Sequence, residues 1–293
     1  MSGEPGDGAL ADPATFLSGD AGDVTAPWRR TKRRLGELAY EALDLMTGTR
    51  RRVARVADAV APLRVLVIGV YRPGSLLPAA LPDLRSERHG VTFAFGATGR
   101  PEPELAPVTV AADLSGGKFE NLNRVLRQAA SAQADWTLVV DDDVGLPAGF
   151  LDLFLGVCER FRLDLAQPAQ TLRSHSAWKV TRRRPASLVR ETRFVEIGPV
   201  TAFGRRAGAR LLPFPKLRYG WGLDLHWAAL AAEQSWRLGV VDAVPVRHQS
   251  RLVAAGYPHE EAVDEAARFL ADRAYVSSDA AGDTLVTHRR ARR

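Results

Sequence analysis

Three consecutive carboxylates, Asp141, Asp142 and Asp143, stand directly behind the apolar run Trp136-Thr137-Leu138-Val139-Val140. A buried strand that ends in three aspartates concentrates negative charge where the backbone leaves the sheet. Carboxylates packed that closely repel one another and raise each other's pKa. A divalent cation with oxygen ligands removes that cost, and a cation there can also hold a diphosphate. The plainer reading of the triplet is a solvated acidic turn, a common feature at strand ends.

The elements that must position these residues can be read from periodicity. Arg64–Val70, Val91–Phe95, Val108–Ala112 and Trp136–Val140 are short apolar runs of strand length. Between the last two, Leu122, Val125, Leu126 and Ala129 mark one face of a helix over 120–132. Strands without alternation, interleaved with helices, predict a mostly parallel sheet covered on both faces. Ligands of such sheets bind beyond the carboxyl ends of the strands. Tyr71, Arg72, Asp113 and the acidic triplet all follow strand ends, so they are expected to converge on one crevice.

Upstream, residues 1–26 are rich in Gly, Ala, Asp and Pro and are expected to be disordered. Over 27–60, Leu35, Leu38, Ala39, Ala42, Leu43 and Met46 recur at helical spacing, and Gly48 is expected to split the segment into two basic, amphipathic helices. These are expected to pack on the main domain or between subunits, with peripheral membrane contact as a further option. Downstream of the triplet, a helix is predicted at 148–162, a short strand at Leu163–Pro168, and a strand at 192–203 centred on Arg193–Ile197. Tyr219–Asp224 opens a helix, Leu238–Val241 is a late strand, Val244–His248 closes the core, and 260–273 is a final helix. The tail after Ser277 is expected to be loose. The domains are then 61–250 for the core, divided at 145/146 into nucleotide and acceptor halves, with 251–293 as helix and basic tail.

Composition narrows the classes. The 293 residues carry a formal net charge of +6, almost all of it from arginine, clustered at 29–34, 50–52, 182–184 and 289–293. No nucleic-acid motif accompanies these clusters, so nucleic-acid binding is disfavoured. The lone cysteine, Cys158, excludes an intrachain disulfide and a Cys-based zinc site. No apolar run approaches the roughly 18–20 residues of a membrane span, and Met1–Asp7 lacks the pattern of a secretory signal. Together these predict a soluble cytoplasmic protein.

Four segments in this order resemble the glycosyltransferase-A fold, especially the broad family 2 of nucleotide-sugar enzymes. They are Gly69-Val70-Tyr71-Arg72, then Gly117-Lys118-Phe119-Glu120-Asn121-Leu122-Asn123, then Val140-Asp141-Asp142-Asp143 as an aspartate-x-aspartate motif, and Trp221-Gly222-Leu223-Asp224 followed by His248. The stretch from Asp135 to His248 is also similar to a plant family of unknown activity labelled lysine-ketoglutarate reductase trans-splicing related. The matching segments are Asp141–Gly145, Gln167-Pro168-Ala169, Phe194-Val195-Glu196, Gly220–Asp224 and Gly239–Ala243. The middle acidic residue varies among those relatives. They usually carry an N-terminal membrane anchor that has no counterpart here, so localisation is not carried over.

The resemblance implies a metal-dependent enzyme that moves a sugar from a nucleotide-diphosphate sugar to an acceptor of unknown kind, with Mn²⁺ or Mg²⁺. In that reading Asp143 and His248 are metal ligands, and Asp141 contacts metal or ribose. An imidazole ligand favours Mn²⁺, although a lone histidine also serves as a surface or core residue. Tyr71, Arg72, Asp113, Lys118, Asn121 and Asp142 fall on the nucleotide side, and Gly116-Gly117 offers backbone N–H groups to an anion. The plain alternative there is an ordinary helix start with Asn121 and Asn123 solvated. Asp224 is the candidate general base for an inverting transfer, with helix capping as its alternative role, and Glu196 is the rival base. Trp221 offers a face to a sugar ring. Trp178, Trp227 and Trp236 are expected in the core, and His175 in a loop over the cleft.

The competing classes are a non-catalytic nucleotide-sugar-binding or scaffold protein, a sugar nucleotidyltransferase and a phosphotransferase. The last would place its aspartate nucleophile near the start of the domain, where here three strands precede the triplet. The nucleotidyltransferase would need a Gly-rich basic loop after the first strand, and Tyr71-Arg72-Pro73-Gly74-Ser75 is a poor substitute. Inversion or retention, the sugar and the oligomeric state are not fixed by these residues.

Overall fold

The computed structural model describes residues 27–129, 133–174, 176–249 and 258–290. The disorder expected of 1–26, the loop role of His175 and the last residues of the tail lie outside them.

The chain folds around one mixed sheet with strand order β10-β7-β9-β6-β8-β4-β1-β2-β3. Its N-terminal half is parallel: β1 (Arg64–Tyr71), β2 (Gly90–Ala97), β3 (Thr109–Ala111) and β4 (Trp136–Val140) run the same way. Beyond them β8 (Val200–Gly204) runs antiparallel to both β4 and β6 (Leu165–Gln170), and β6 is parallel to β9 (Leu238–His248). Two-residue β5 (Val144–Gly145) pairs with the far end of β9, register Val144 to His248. This α/β architecture, a large sheet flanked by helices, is of the class that the sequence predicts.

The reason the strands lack polar alternation is visible in β1. Leu66 and Ile68 join one apolar cluster, while Val65, Val67 and Tyr71 join another on the opposite face. Alternating side chains enter two separate cores, so both must be apolar. One face is covered by α4 (Lys118–Gln128), α7 (Leu223–Glu233) and α8 (His259–Leu270), the other by α2 (Thr49–Asp58), α3 (Leu77–Ala80) and α5 (Phe150–Phe161). A short α6 (Arg205–Leu211) follows β8. Trp178 and Trp227 are buried against Phe194 and Phe203, and Trp236 packs on the edge of the same cluster, as expected of core residues.

Two expectations are corrected. Arg193–Ile197 is not a strand. The sheet instead uses β7 (Val189–Thr192) and β8 on either side, and the segment between them leaves the ladder and carries Glu196 toward the cleft. The tail is not loose throughout, because α9 (Ser278–Ala281) leads into β10 (Thr284–His288), which pairs antiparallel with β7 and closes that sheet edge. Upstream, α1 (Pro27–Met46) is separated from α2 at Gly48 as predicted. Its apolar face does not meet the domain: Trp28, Leu35, Leu38, Leu45 and Met46 are exposed, while Glu37 and Asp44 are buried. Both carboxylates engage Arg183, itself buried, and accept backbone N–H bonds from Leu172 (2.7 Å) and Ala186 (2.8 Å). The helix is held by charge-assisted hydrogen bonds rather than by its leucines. No helix of the described residues is long and apolar enough to cross a membrane.

Candidate metal and acid–base centre

The triplet divides as the backbone leaves β4. Asp141 and Asp143 face the cleft, whereas Asp142 turns back and is buried. The Asp142 carboxylate accepts from the Arg72 backbone N–H (2.9 Å) and from its guanidinium (2.9 and 3.0 Å). The two residues therefore tie the ends of β1 and β4 together. Tyr71 lies wholly in the core with its hydroxyl 2.8 Å from Thr109 Oγ1, and Asp113 is exposed after β3. None of these four joins the acidic cluster.

Asp141, Asp143 and His248 do meet. Each offers one ligand atom, and these atoms lie within 4.8 Å of one another. The backbone fixes the encounter: β5 lies against the end of β9, and the Gln249 N–H donates to the Asp143 carbonyl at 2.9 Å. Ser174 holds the His248 backbone N–H at 3.0 Å. His248 Nε2 is 3.2 Å from Asp143 Oδ1. Burial would lower the imidazole pKa, yet Asp143, Asp141 and Glu196 outweigh it and the value is raised. Burial raises the Asp141 pKa against the pull of Lys118. Two carboxylate oxygens and one imidazole nitrogen, crowded together, form a donor set that fits a metal ion.

Lys118, the first residue of α4, places Nζ 2.6 Å from Asp141 Oδ1 and 3.2 Å from the Ile197 carbonyl. The Glu196–Pro199 loop thus passes directly over the Asp141–Lys118 pair, and the Pro199 carbonyl accepts from the Asp141 N–H at 2.8 Å. Gly198 is required by this approach, since a Cβ there would stand 2.6 Å from Asp141 Oδ2. The Gly116-Gly117 N–H groups are not available to an anion. They donate to Asn121 Oδ1 (3.2 Å) and Glu120 Oε2 (2.8 Å), so Asn121 closes its own helix start, where it is buried. Asn123 is likewise spent on the backbone of Phe214.

Two further carboxyls stand beside this cluster. Asp224, in the first turn of α7, is buried, and desolvation pushes its pKa up to about 7 against hydrogen bonds from the backbone of Leu225 and Ile197. The N-cap of that helix is Gly222, so Asp224 is not the cap. The loop ahead of it is held by Glu265 of α8, which accepts from the backbone N–H groups of Arg218, Tyr219 and Gly220 at 2.6, 2.8 and 2.9 Å. Gly220 turns at φ +80 against Phe119, a conformation and a space that admit no side chain. Trp221 is buried, with its ring edge-on to His259. Glu196 is pushed up to about 8 by desolvation, with His248 opposing and Asp224 adding to the shift.

The sequence reading missed what holds Glu196. Gln170 Nε2 donates to its carboxylate at 2.8 Å, and Gln167 accepts its backbone N–H. Both glutamines are wholly buried on β6, where polar residues in an apolar strand were the available signal. Asp242, inside the quoted segment Gly239–Ala243, belongs to a different buried pair. It binds the Arg190 guanidinium at 2.9 Å and the Arg184 N–H at 2.9 Å, away from the acidic cluster.

No protein-family model matches the chain, and no curated protein matches it. Two of the solved structures similar to the chain illustrate the likeness. One is GalNAc-T7 with UDP, GalNAc and Mn²⁺, at 11% identity and a TM-score of 0.44, over 67% of this chain and 45% of that one. The chain thus spans under half the length of that protein. The other is described only as a mycobacterial protein, at 15% identity and a TM-score of 0.49, over 75% of this chain and 78% of that one. At these scores neither likeness bears on the chemistry of the site. What the residues themselves present is an α/β fold with a possible Asp-Asp-His metal site beside two carboxyls of raised pKa.

Proposed function

We propose that the chain is a metal-dependent glycosyltransferase that uses a nucleotide-diphosphate sugar and inverts the anomeric centre. The observation that carries this reading is the meeting of Asp141, Asp143 and His248 at the carboxyl end of β4, with Asp224 and Glu196 beside them. A divalent cation held by the three ligands would act as a Lewis acid toward the departing diphosphate. Lys118 adds a positive charge next to Asp141. On the other side, Asp224 takes the proton of the acceptor hydroxyl. As the acceptor oxygen forms its bond to the anomeric carbon, the bond from that carbon to the diphosphate oxygen breaks, and the diphosphate leaves with the electron pair. A carboxylate whose pKa lies near neutrality is well matched to this task. Glu196, gripped by Gln170 and with its pKa pushed up to about 8, is less suited than Asp224 to act as the base near neutral pH.

The test is release of nucleoside diphosphate from a panel of nucleotide sugars and mixed acceptors with Mn²⁺, in wild type, Asp143→Ala and Asp224→Asn. Asp143→Ala is expected to lose donor binding, and Asp224→Asn to bind donor but not transfer. Equal loss of donor binding in both variants removes Asp224 from the role of base.

A further inference from the structure

The apolar side of α1 faces away from the domain. Trp28, Leu35, Leu38, Leu45 and Met46 are between 54 and 77% exposed. They are five of the seven large apolar side chains exposed among the described residues, so exposed apolar surface is concentrated on this one helix. At about 3.6 residues per turn they fall on one side, with exposed Ala42 between them, as a stripe about 27 Å long. Apolar surface gathered in this way marks a contact site.

The side that meets the domain is polar. Glu37 and Asp44 are buried on Arg183, Glu37 accepts from the Leu172 N–H, and Gly36 lies so close to Leu172 that a Cβ would stand 3.1 Å from its side chain. Burying two carboxylates and a guanidinium is weak as a means of stabilisation but well suited to setting an orientation. It turns two of the three acidic residues of α1 inward and leaves only Glu41 of them exposed. Lys32 and Arg34 stand exposed on opposite flanks of the stripe. At its far end the exposed Arg50 and Arg51 line one hollow with Leu45 and Met46.

We infer that this face docks on an anionic lipid bilayer, with α1 lying in the plane of the interface. An apolar stripe with cations on both flanks and at one end complements a surface whose apolar interior lies beneath negative headgroups. Trp28, at the start of the helix, is of the aromatic type that settles at headgroup level. A second copy of the chain is a poorer match. Pairing α1 with α1 in either direction sets Lys32 and Arg34 against the partner's own flanks or against its Arg50 and Arg51, with Glu41 alone to oppose them, and like charges across an interface disfavour it. The contact is peripheral, since no helix of the described residues is long and apolar enough to cross a membrane. Arg34 and His248 line one cleft of about 360 Å³, so docking brings the bilayer close to the metal and acid–base centre. The inference does not rest on the transferase reading.

The experiment is flotation of the full chain with vesicles of pure phosphatidylcholine and of phosphatidylcholine mixed with phosphatidylserine. Wild type is compared with Leu35→Gln/Leu38→Gln, which removes the centre of the stripe, and with Lys32→Gln/Arg34→Gln, which removes its flanking charge. All four side chains are exposed and glutamine suits a helix, so both variants are expected to keep the wild-type melting temperature. Wild type is expected to float with the mixed vesicles and not with pure phosphatidylcholine, and to be released by high salt. Each double variant is expected to lose about tenfold or more in partitioning. Wild type that stays behind from the mixed vesicles overturns the inference, as does equal retention on both kinds of vesicle. Retention that Leu35→Gln/Leu38→Gln leaves unchanged also overturns it, because charge elsewhere on the chain then carries the contact. Sedimentation velocity without vesicles tests the other occupant. A wild type that self-associates, becomes monomeric in Leu35→Gln/Leu38→Gln and does not float makes the face an interface between copies and overturns the lipid assignment.

Discussion

His248 Nε2 lies 3.2 Å from Asp143 Oδ1, and the β5–β9 pairing sets Val144 opposite His248 in the same ladder. A metal ligand set that draws on the end of β4 and the end of β9 thus depends on two residues of strand. The same closeness makes a proton and a cation competitors for one site.

The first prediction follows from that competition. Asp143, Asp141 and Glu196 raise the His248 pKa, and only the neutral imidazole can bind a metal. Mn²⁺ affinity, measured by calorimetry, should therefore rise as the pH increases from about 6 to about 8. His248→Ala should weaken it and flatten the dependence.

Asp143→Ala should weaken Mn²⁺ and metal-dependent nucleotide binding by more than the roughly 10–100-fold typical of losing an outer hydrogen-bond partner. Asp142→Ala removes the tie to Arg72 instead, and is expected to lower the melting temperature more than the metal affinity.

Stability without metal should fall as the pH rises. Glu196 and Asp224 have folded-state pKa values of about 8 and about 7, above their usual carboxylate range. A raised pKa contributes stability that is complete below the unfolded value and is lost as the pH passes the folded one. The loss should span about pH 4 to about pH 8. Thermal unfolding with a chelator should show it, and Glu196→Gln/Asp224→Asn should diminish the slope.

Transfer should show its own limb. With Asp224 as base, the rate at saturating donor should rise with pH through about 7, and Asp224→Asn should lower it by roughly 10²–10⁴-fold. Glu196→Gln should leave the limb in place, because Asp224 adds to the Glu196 shift whereas burial and backbone hydrogen bonds set that of Asp224.

Arg183→Met should be among the most destabilising single changes outside the cleft. It leaves the Glu37 and Asp44 carboxylates without their buried partner, a loss of about 3–5 kcal/mol by urea unfolding. Restoring neutrality with Glu37→Gln/Asp44→Asn in the same chain should recover part of it.

Much of the sheet was legible because β1, β4 and the second half of β2 are buried on both faces and read as apolar runs. Asp141, Asp143 and His248 were legible from their places after strands. Asp142 was already set apart from them, but its tie to Arg72 was not legible, because it depends on Arg72 reaching across from the end of β1. Which face of α1 meets the domain was not legible for the same reason. Its leucines have helical spacing, but Arg183, far along the chain, decides which side is buried. Arg193–Ile197 has strand composition and still leaves the sheet, since the Glu196–Pro199 loop is held by Lys118 and Asp141 rather than by a ladder. Long-range charge pairs leave no periodic mark on a sequence.

The central claim, that Asp141, Asp143 and His248 hold a cation for a nucleotide-diphosphate sugar, is tested most directly by thermal shift across a panel of such sugars with and without Mn²⁺. At least one donor should raise the melting temperature of wild type only when Mn²⁺ is present, and none should do so in Asp143→Ala. A panel in which no donor stabilises wild type under any metal condition would contradict the account.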